Sequence, residues 1–385
     1  MAAPRPLDIR PHAWSAAALM AAAAILGALR ALALVPPDPW LIATLGAATL
    51  LLQAALYGHL PNLSRRQTTP EGLAELAGPL LFPAAVLGSL LDQAAIRDTA
   101  LSIALALTGA IPLLTLAFGK PWRASGRATW RKPGPYQSGD IIGLGFILNA
   151  SLAFLLIGTA HAIDPAAAAR ALPLVHPLAI LLAASGLALS LLPRLARQPA
   201  RLPLAAAAWA STTAAVALAL ARVVWPTTVS TEVPVLLSVG LALLVPALWA
   251  PGRRGGPRWQ DARALAALAA ASGLTTAAAA LWSAFDPTAR VTTAGYASLV
   301  LTALSTAGLA FLLLAPILLN ALPSGRAVAT AALVGATGLA MSWALPLRLT
   351  RWAAIAWALA LLLALAAIAP MRTPRRDCPP NEETA

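Results

Sequence analysis

Residues 172–192 read LPLVHPLAILLAASGLALSLL, a stretch without a single Asp, Glu, Lys or Arg. An α-helix needs about 20 consecutive, mostly apolar residues to cross the hydrocarbon core of a bilayer. The stretch therefore predicts a membrane-spanning helix. It also carries a histidine, His176, and a polar side chain inside such a helix is a candidate for function.

The same pattern recurs along the chain, which has 385 residues, 59% of them hydrophobic and only 11% charged. Soluble domains carry about 25% charged residues, so this composition indicates a protein embedded in a lipid bilayer. We predict an all-α, polytopic integral membrane helical bundle, with a single transmembrane domain at 1–370 and a disordered cytoplasmic tail at 371–385. Its transmembrane helices number about twelve, near 14–35, 40–60, 73–91, 99–118, 141–160, 172–192, 203–224, 233–250, 263–284, 294–320, 327–346 and 352–369.

The basic residues are distributed unevenly between the segments that connect these helices. The formal net charge is +13, from 27 Lys+Arg against 14 Asp+Glu. Twenty of the basic residues fall in one alternate set of connections and six in the other. Because Lys and Arg are retained on the cytoplasmic side, we expect a multi-pass protein of the bacterial inner membrane with both termini in the cytoplasm. The basic loop at 120–132 is expected to bind anionic lipid headgroups rather than nucleic acid.

The residue types limit the chemistry that the chain can perform. It has one cysteine, Cys378, which excludes a disulfide framework and a Cys-based metal site within one chain. Four histidines are too few for a richly liganded multi-metal centre. The sequence has neither a Gly-rich phosphate loop nor a nucleophile–base–acid triad. No catalytic residue is predicted, and a non-enzymatic role is favoured.

Three apolar segments end alike, in a proline followed by arginine. The prolines are Pro61, Pro193 and Pro323, spaced by 132 and 130 residues. Self-similarity at a fixed period indicates a duplicated unit, here a threefold repeat of four helices. Coincidence is the alternative, because the chain has 33 prolines and proline commonly follows a helix end.

Two histidines are the main candidates for function. His59 lies near the end of the second helix, just after Tyr57, and His176 opens the sixth. Neutral imidazole is a common ligand of haem iron and of copper, so both histidines are candidate metal ligands. The simpler alternative is that each is an interfacial residue without a ligand.

Other polar residues favour structural roles. His12 precedes the first membrane span, and His161 lies at the outer end of the fifth span. Asn149 lies within a span, and Asn320 lies near a span end. An amide in either place typically hydrogen-bonds to a neighbouring helix, and we expect this of both residues. Arg30 is expected to extend toward the membrane interface.

Four short motifs are similar to motifs of one membrane-protein family. RPHAWSAA at 10–17 resembles an opening Arg-Pro-Phe-Phe, and LPNLSRR at 60–66 resembles Val-Pro-Asn-Trp-Thr-Gly-Arg. PSGR at 323–326 resembles a late His-Thr-Gly-Arg, and APMRTPRRD at 369–377 resembles a Pro/Arg-rich ending. The chain thus resembles the NnrS family, polytopic membrane proteins associated with haem, copper and defence against nitric oxide.

The chain departs from this family where the family would bind metal. The family's second span opens Trp-His-Ala-His-Glu, whereas this chain has WLIAT at 40–44. The region similar to the family's late histidine segment, 296–326, contains no histidine. The resemblance therefore leaves His176 and His59 as the candidate haem or copper ligands, with Tyr57 as a nearby polar partner. The chain is either a member with a divergent site or one that has lost the metal.

The resemblance implies a role in the nitric oxide response or in respiratory metal and haem handling, with haem or copper as the implied cofactor. Two other classes stay open: a transporter or permease for a small solute or a lipid, and a non-catalytic assembly partner of a respiratory complex. Transporters are commonly built from paired halves with broken helices at the membrane midplane. A four-helix period favours the first class.

Overall fold

The computed structural model describes residues 10–31, 34, 37–64, 71–119, 139–196, 199–225 and 232–248. All regular structure in these ranges is α-helical, which confirms the predicted fold class for this part of the chain. The helices are α1 (Arg10–Ala31), α2 (Pro37–Ser64), α3 (Glu71–Leu90), α4 (Ala94–Phe118), α5 (Asp140–Ile163), α6 (Pro165–Ala196), α7 (Leu202–Ala221) and α8 (Glu232–Leu248).

Six of these helices, α2 to α7, are long and apolar enough to cross a membrane. The apolar parts of α1 and α8 are shorter, at Trp14–Ala23 and Val235–Leu248. The eight helices coincide with the first eight predicted spans, and the prediction of a helical membrane protein is confirmed to that extent. The four remaining predicted spans, at 263–284, 294–320, 327–346 and 352–369, and the tail at 371–385 lie outside the described residues.

Two helices occupy the centre of the described bundle. The apolar segment of α6 is 94% buried and that of α2 is 83% buried, against 33–50% for the segments of α3, α4, α5 and α7. A helix that is apolar around its whole circumference needs contacts on every side. Helices α2 and α6 obtain these contacts from each other and from the helices around them.

The outer helices present large apolar side chains on the surface. Leu80 and Leu87 of α3 are more than half exposed, and Ile141 of α5 is 83% exposed. A soluble protein rarely exposes contiguous apolar surface on this scale, because water would make it costly. These faces are suited to lipid, as the composition predicts.

The eight helices form two units with the same internal packing. Unit one is α1–α4 and unit two is α5–α8; α5 begins at residue 140 and α1 at residue 10, a spacing of 130. In each unit the first helix packs on the second and third, the second on the third and fourth, and the third on the fourth. The order of helix contacts is therefore the same in the two units.

The two units meet where α4 packs on α5 and α2 on α6. Glycines allow the close approach of α4 and α5. A Cβ atom on Gly158 of α5 would lie 2.5 Å from the backbone nitrogen of Ala106 of α4, and Gly109 of α4 faces the backbone of Ser151 in the same way. Close backbone contact through small residues is a common way for membrane helices to associate.

Two prolines within α3, Pro79 and Pro83, disturb its hydrogen bonding. Pro83 has no N–H, so the carbonyl of Pro79 loses its partner one turn later in the helix. The hydroxyl of Ser15 in α1 donates to this carbonyl at 2.6 Å. The side chain of Ser15 thus supplies the hydrogen bond that the α3 backbone lacks and links α1 to α3.

Candidate functional site

A column of three polar side chains runs along one face of the central helix α2. Thr49, Gln53 and Tyr57 are spaced by four residues, so they lie above one another on the same side of the helix. Successive members are about 6 Å apart along the axis. All three are buried. We call this set the α2 polar column.

The first member of the column joins α2 to α6. Thr49 Oγ1 lies 2.8 Å from His176 Nε2 and also 2.8 Å from the carbonyl oxygen of Leu45. The threonine hydroxyl has one proton, and the carbonyl can only accept, so this proton is donated to Leu45. With that proton on Leu45, the hydrogen-bond pattern assigns an Nε2–H to His176, which donates to Thr49.

Aromatic rings enclose His176. The ring of Phe82 in α3 is stacked on it, with centroids 6.4 Å apart, and the ring of Phe154 in α5 meets it edge-on at 5.8 Å. His176 itself is buried. The imidazole is therefore packed between helices, with its Nε2 already hydrogen-bonded.

The second member joins α2 to α4. Gln53 Nε2 donates to Thr108 Oγ1 at 2.7 Å, and Thr108 in turn donates to the carbonyl of Ala104 at 2.6 Å. The other amide atom, Gln53 Oε1, is buried and has no hydrogen-bond partner among the described residues. It lies against Gly78 of α3, at the place that a side chain at position 78 would occupy.

The third member, Tyr57, joins α2 to α1. Its ring meets the ring of His12 edge-on, with centroids 5.5 Å apart. His12 precedes the apolar part of α1, which begins at Trp14, and it lies buried in the first turn of the helix.

The predicted ligand residues are not brought together as one metal site. His59 is buried in α2, ten residues beyond Thr49, the partner of His176. Ten helical residues span about 15 Å along the axis, whereas two nitrogens on one metal ion are about 4 Å apart. The pair does not fit a shared haem or copper. Among the residues that the structure describes, no three His, Cys, Asp or Glu side chains form a group that could hold a metal ion.

Tyr57, the predicted polar partner of the candidate ligands, is two residues before His59 on α2. Two residues apart on a helix correspond to about 200° of rotation, so the two side chains leave α2 on opposite sides. The aromatic ring that Tyr57 contacts is that of His12 in α1.

A second polar cluster lies at the junction of the two units and was not predicted. Arg97 and Asp98 at the start of α4 form an ion pair, with Nε and Oδ1 2.7 Å apart. His161 in the last turn of α5 places its Nε2 3.5 Å from the same Oδ1. Asp98 and His161 are far apart in sequence, and no spacing could have indicated that they meet.

One structural prediction about polar residues is confirmed. Asn149 of α5 donates through Nδ2 to Thr213 Oγ1 of α7 at 2.9 Å, the interhelical hydrogen bond expected of a mid-span amide. Asn320 and the side chain of Arg30 lie outside the described part of the chain.

No protein-family model and no curated protein matches this chain. The resemblance to the NnrS family therefore stays a prediction. Functional interpretation depends on the arrangement of the chain's own residues, above all on the central helices and the α2 polar column.

Proposed function

We propose that this chain is a divergent NnrS-like protein of the bacterial inner membrane that acts in the nitric oxide response or in respiratory metal and haem handling. The observation that carries the proposal is that α1–α4 and α5–α8 share one order of helix contacts, as a period of four helices would produce. This period agrees with the architecture that the sequence motifs suggested. Transporters are commonly built from two halves, each with half of the spans, and a period of four helices does not agree with that arrangement.

The proposal includes a third unit formed by the last four predicted spans, which gives twelve spans in all. The sequence supports it through Pro323 and Arg326, which follow Pro193 and Arg194 of unit two at a similar interval. Both termini then lie on the same side of the membrane, because an even number of spans returns the chain to the side on which it began, and we propose that this side is the cytoplasm. The excess of basic residues in alternate connections supports the same orientation.

The resemblance to the NnrS family implies haem or copper binding, and the proposal includes this cofactor only in a limited form. His176 and His59 do not fit one shared haem or copper, so a ligand role is proposed for each histidine only separately, with any other ligand supplied elsewhere. In His176 the nitrogen Nε2 is hydrogen-bonded to Thr49, so a ligand bond from this residue would come from Nδ1.

Growth under nitric oxide tests the role. A bacterial strain that lacks this gene should recover more slowly from a nitric oxide donor than the same strain carrying it. The matched control is the same pair of strains grown without the donor, which should not differ. Equal recovery with and without the gene would contradict the proposed role and favour a permease or an assembly partner.

A further inference from the structure

The junction of the two units holds a buried histidine whose ring makes no hydrogen bond. His161, in the last turn of α5, is 5% exposed, and neither of its ring nitrogens has a hydrogen-bond partner among the described residues. The carboxylate of Asp98 in α4 comes within 3.5 Å of Nε2, which is longer than the usual N–H···O range of about 2.7–3.2 Å. A buried polar ring left in this state is costly, so packing alone does not account for it.

The carboxylate that His161 faces is already paired within its own helix. Arg97 donates to Asp98 through Nε at 2.7 Å and through Nη2 at 3.2 Å, so its guanidinium holds both carboxylate oxygens. The turn that carries Arg97 packs directly on α3, because a Cβ atom on Gly88 would lie 2.6 Å from the backbone nitrogen of Arg97. The negative charge of Asp98 is therefore balanced without His161.

Few other charges can act on His161. The helices packed on α5 are α4, α6 and α7. The charges that act on the imidazole are those of Asp98 and Arg97, both in α4, and no charge of α6 or α7 does so among the described residues. The charged residues at this end of α5, α6 and α7 are Asp164, Arg170 and Arg222.

This environment suits a neutral imidazole and not a protonated one. A protonated ring has two N–H donors, and the buried Nδ1 has no acceptor in the described part of the chain. Arg97 and Asp98 cancel each other's charge, so a proton on His161 would give the cluster a net charge of +1. Burying a charge that is not balanced is costly. Separation of α4 from α5 would expose the ring to water and remove that cost.

We propose that His161 is a proton-sensitive switch at the junction of the two units, and that its protonation separates the ends of α4 and α5 that carry Asp98 and His161. One turn further along α5, a Cβ atom on Gly158 would lie 2.5 Å from the backbone nitrogen of Ala106. The two helices stay in contact at this point and separate only beyond it. In the proposed orientation the switch lies at the outer face of the membrane, and it is independent of the nitric oxide role and of any metal.

The direction of the pH response follows from which state binds the proton. The separated state takes up a proton that the packed state excludes, so a fall in pH favours separation. The ratio of separated to packed molecules rises by at most about tenfold per pH unit, the limit for one proton. The response begins near pH ~6.5, where an imidazole in water becomes protonated.

Spin labels on the two helices test the switch in the full-length protein carrying Cys378→Ser, which removes the single native cysteine. One pair of labels is placed at Thr99→Cys and Ala162→Cys, two exposed positions beside the cluster. The control pair, at Phe118→Cys and Ile141→Cys, is exposed at the opposite ends of the same helices. The distance between the labels, measured by EPR, should increase in the first pair between about pH 7.5 and about pH 5.5, and should stay constant in the control pair.

Two variants assign the response to His161. His161→Gln and His161→Phe cannot take up a proton, so the first pair of labels should keep its short distance at both pH values; the second variant covers a failure of the first to fold. The other three histidines are present in both variants, and any response of theirs persists there.

Three results would overturn the proposal: a distance that does not change with pH, a change that persists in the His161 variants or occurs equally in the control pair, and a distance that shortens at low pH. The last result would mean that protonated His161 binds Asp98 and holds the units together. In detergent solution both ends of the protein experience the same pH, so the outcome does not depend on the proposed orientation. The growth phenotype under nitric oxide does not bear on it.

Discussion

Thr49 of α2 and His176 of α6 are joined by a buried hydrogen bond of 2.8 Å that links the central helices of the two four-helix units. The units also meet along α4 and α5, where glycines bring the backbones together. The hydrogen bond fixes how α2 is rotated relative to α6, because only one face of each helix carries the partner. It thereby also fixes the face on which the rest of the α2 polar column lies.

Thr49→Val should destabilise the protein, because valine keeps the shape of threonine and leaves His176 Nε2–H without an acceptor. The expected cost is about 1–3 kcal/mol, measured as a loss of thermal stability in detergent. Thr44→Val is the matched control, since the Thr44 hydroxyl donates to Trp40 in its own helix. The double variant Thr49→Val/His176→Phe should lose less stability than the two single changes added together. Simple additivity would contradict the hydrogen bond.

Gly158→Ala should weaken the junction of the two units. The new methyl group would lie 2.5 Å from the backbone nitrogen of Ala106, and backbone cannot move aside as a flexible side chain can. The expected cost is about 1–3 kcal/mol, as for other overpacked interiors. The same change at Gly72, where nothing lies within 4 Å, should leave stability equal or slightly higher. Thermal unfolding of the two variants side by side decides the matter, and equal destabilisation would refute the close approach.

Ser15→Ala should cost about 1 kcal/mol, because it removes the donor to the carbonyl of Pro79 and leaves that carbonyl unpaired. The backbone can supply the missing donor if Pro83 is replaced. Pro83→Ala restores an N–H one turn after Pro79, so Ser15→Ala should cost less in a Pro83→Ala background. If thermal unfolding shows that Ser15→Ala loses the same stability in both backgrounds, the hydroxyl of Ser15 does not compensate for the N–H that Pro83 lacks.

The location of the helices could be predicted from the sequence because it depends on local hydrophobicity. Continuous apolar runs predicted the positions of α1 to α8, and the interval between Pro61 and Pro193 is consistent with the shared order of contacts in α1–α4 and α5–α8. These features need no knowledge of which helix lies beside which.

The contacts of the candidate site could not be predicted in the same way, since they depend on the rotation of each helix and on its neighbours. Thr49 and His176 are 127 residues apart, and Gln53 and Thr108 are 55 apart. The i, i+4 spacing of the column was visible in the sequence, but its burial was not. His59 looked like a partner of His176 because both are histidines, yet its place on α2 is too far along the axis.

Two histidine substitutions test the separation of His59 from His176 in the purified protein. His59 lies ten positions after Thr49 on α2, and this separation prevents the two imidazoles from binding one iron or copper ion. We therefore expect that any Soret band or copper content of the wild-type protein is lost in at most one of the two variants His59→Ala and His176→Ala. Asn149→Ala is the control for general loss of packing, because it removes a different interhelical hydrogen bond. A Soret band that disappears in each histidine variant but persists in Asn149→Ala would show that both residues hold one haem, which would require α2 and α6 to be packed in a different register.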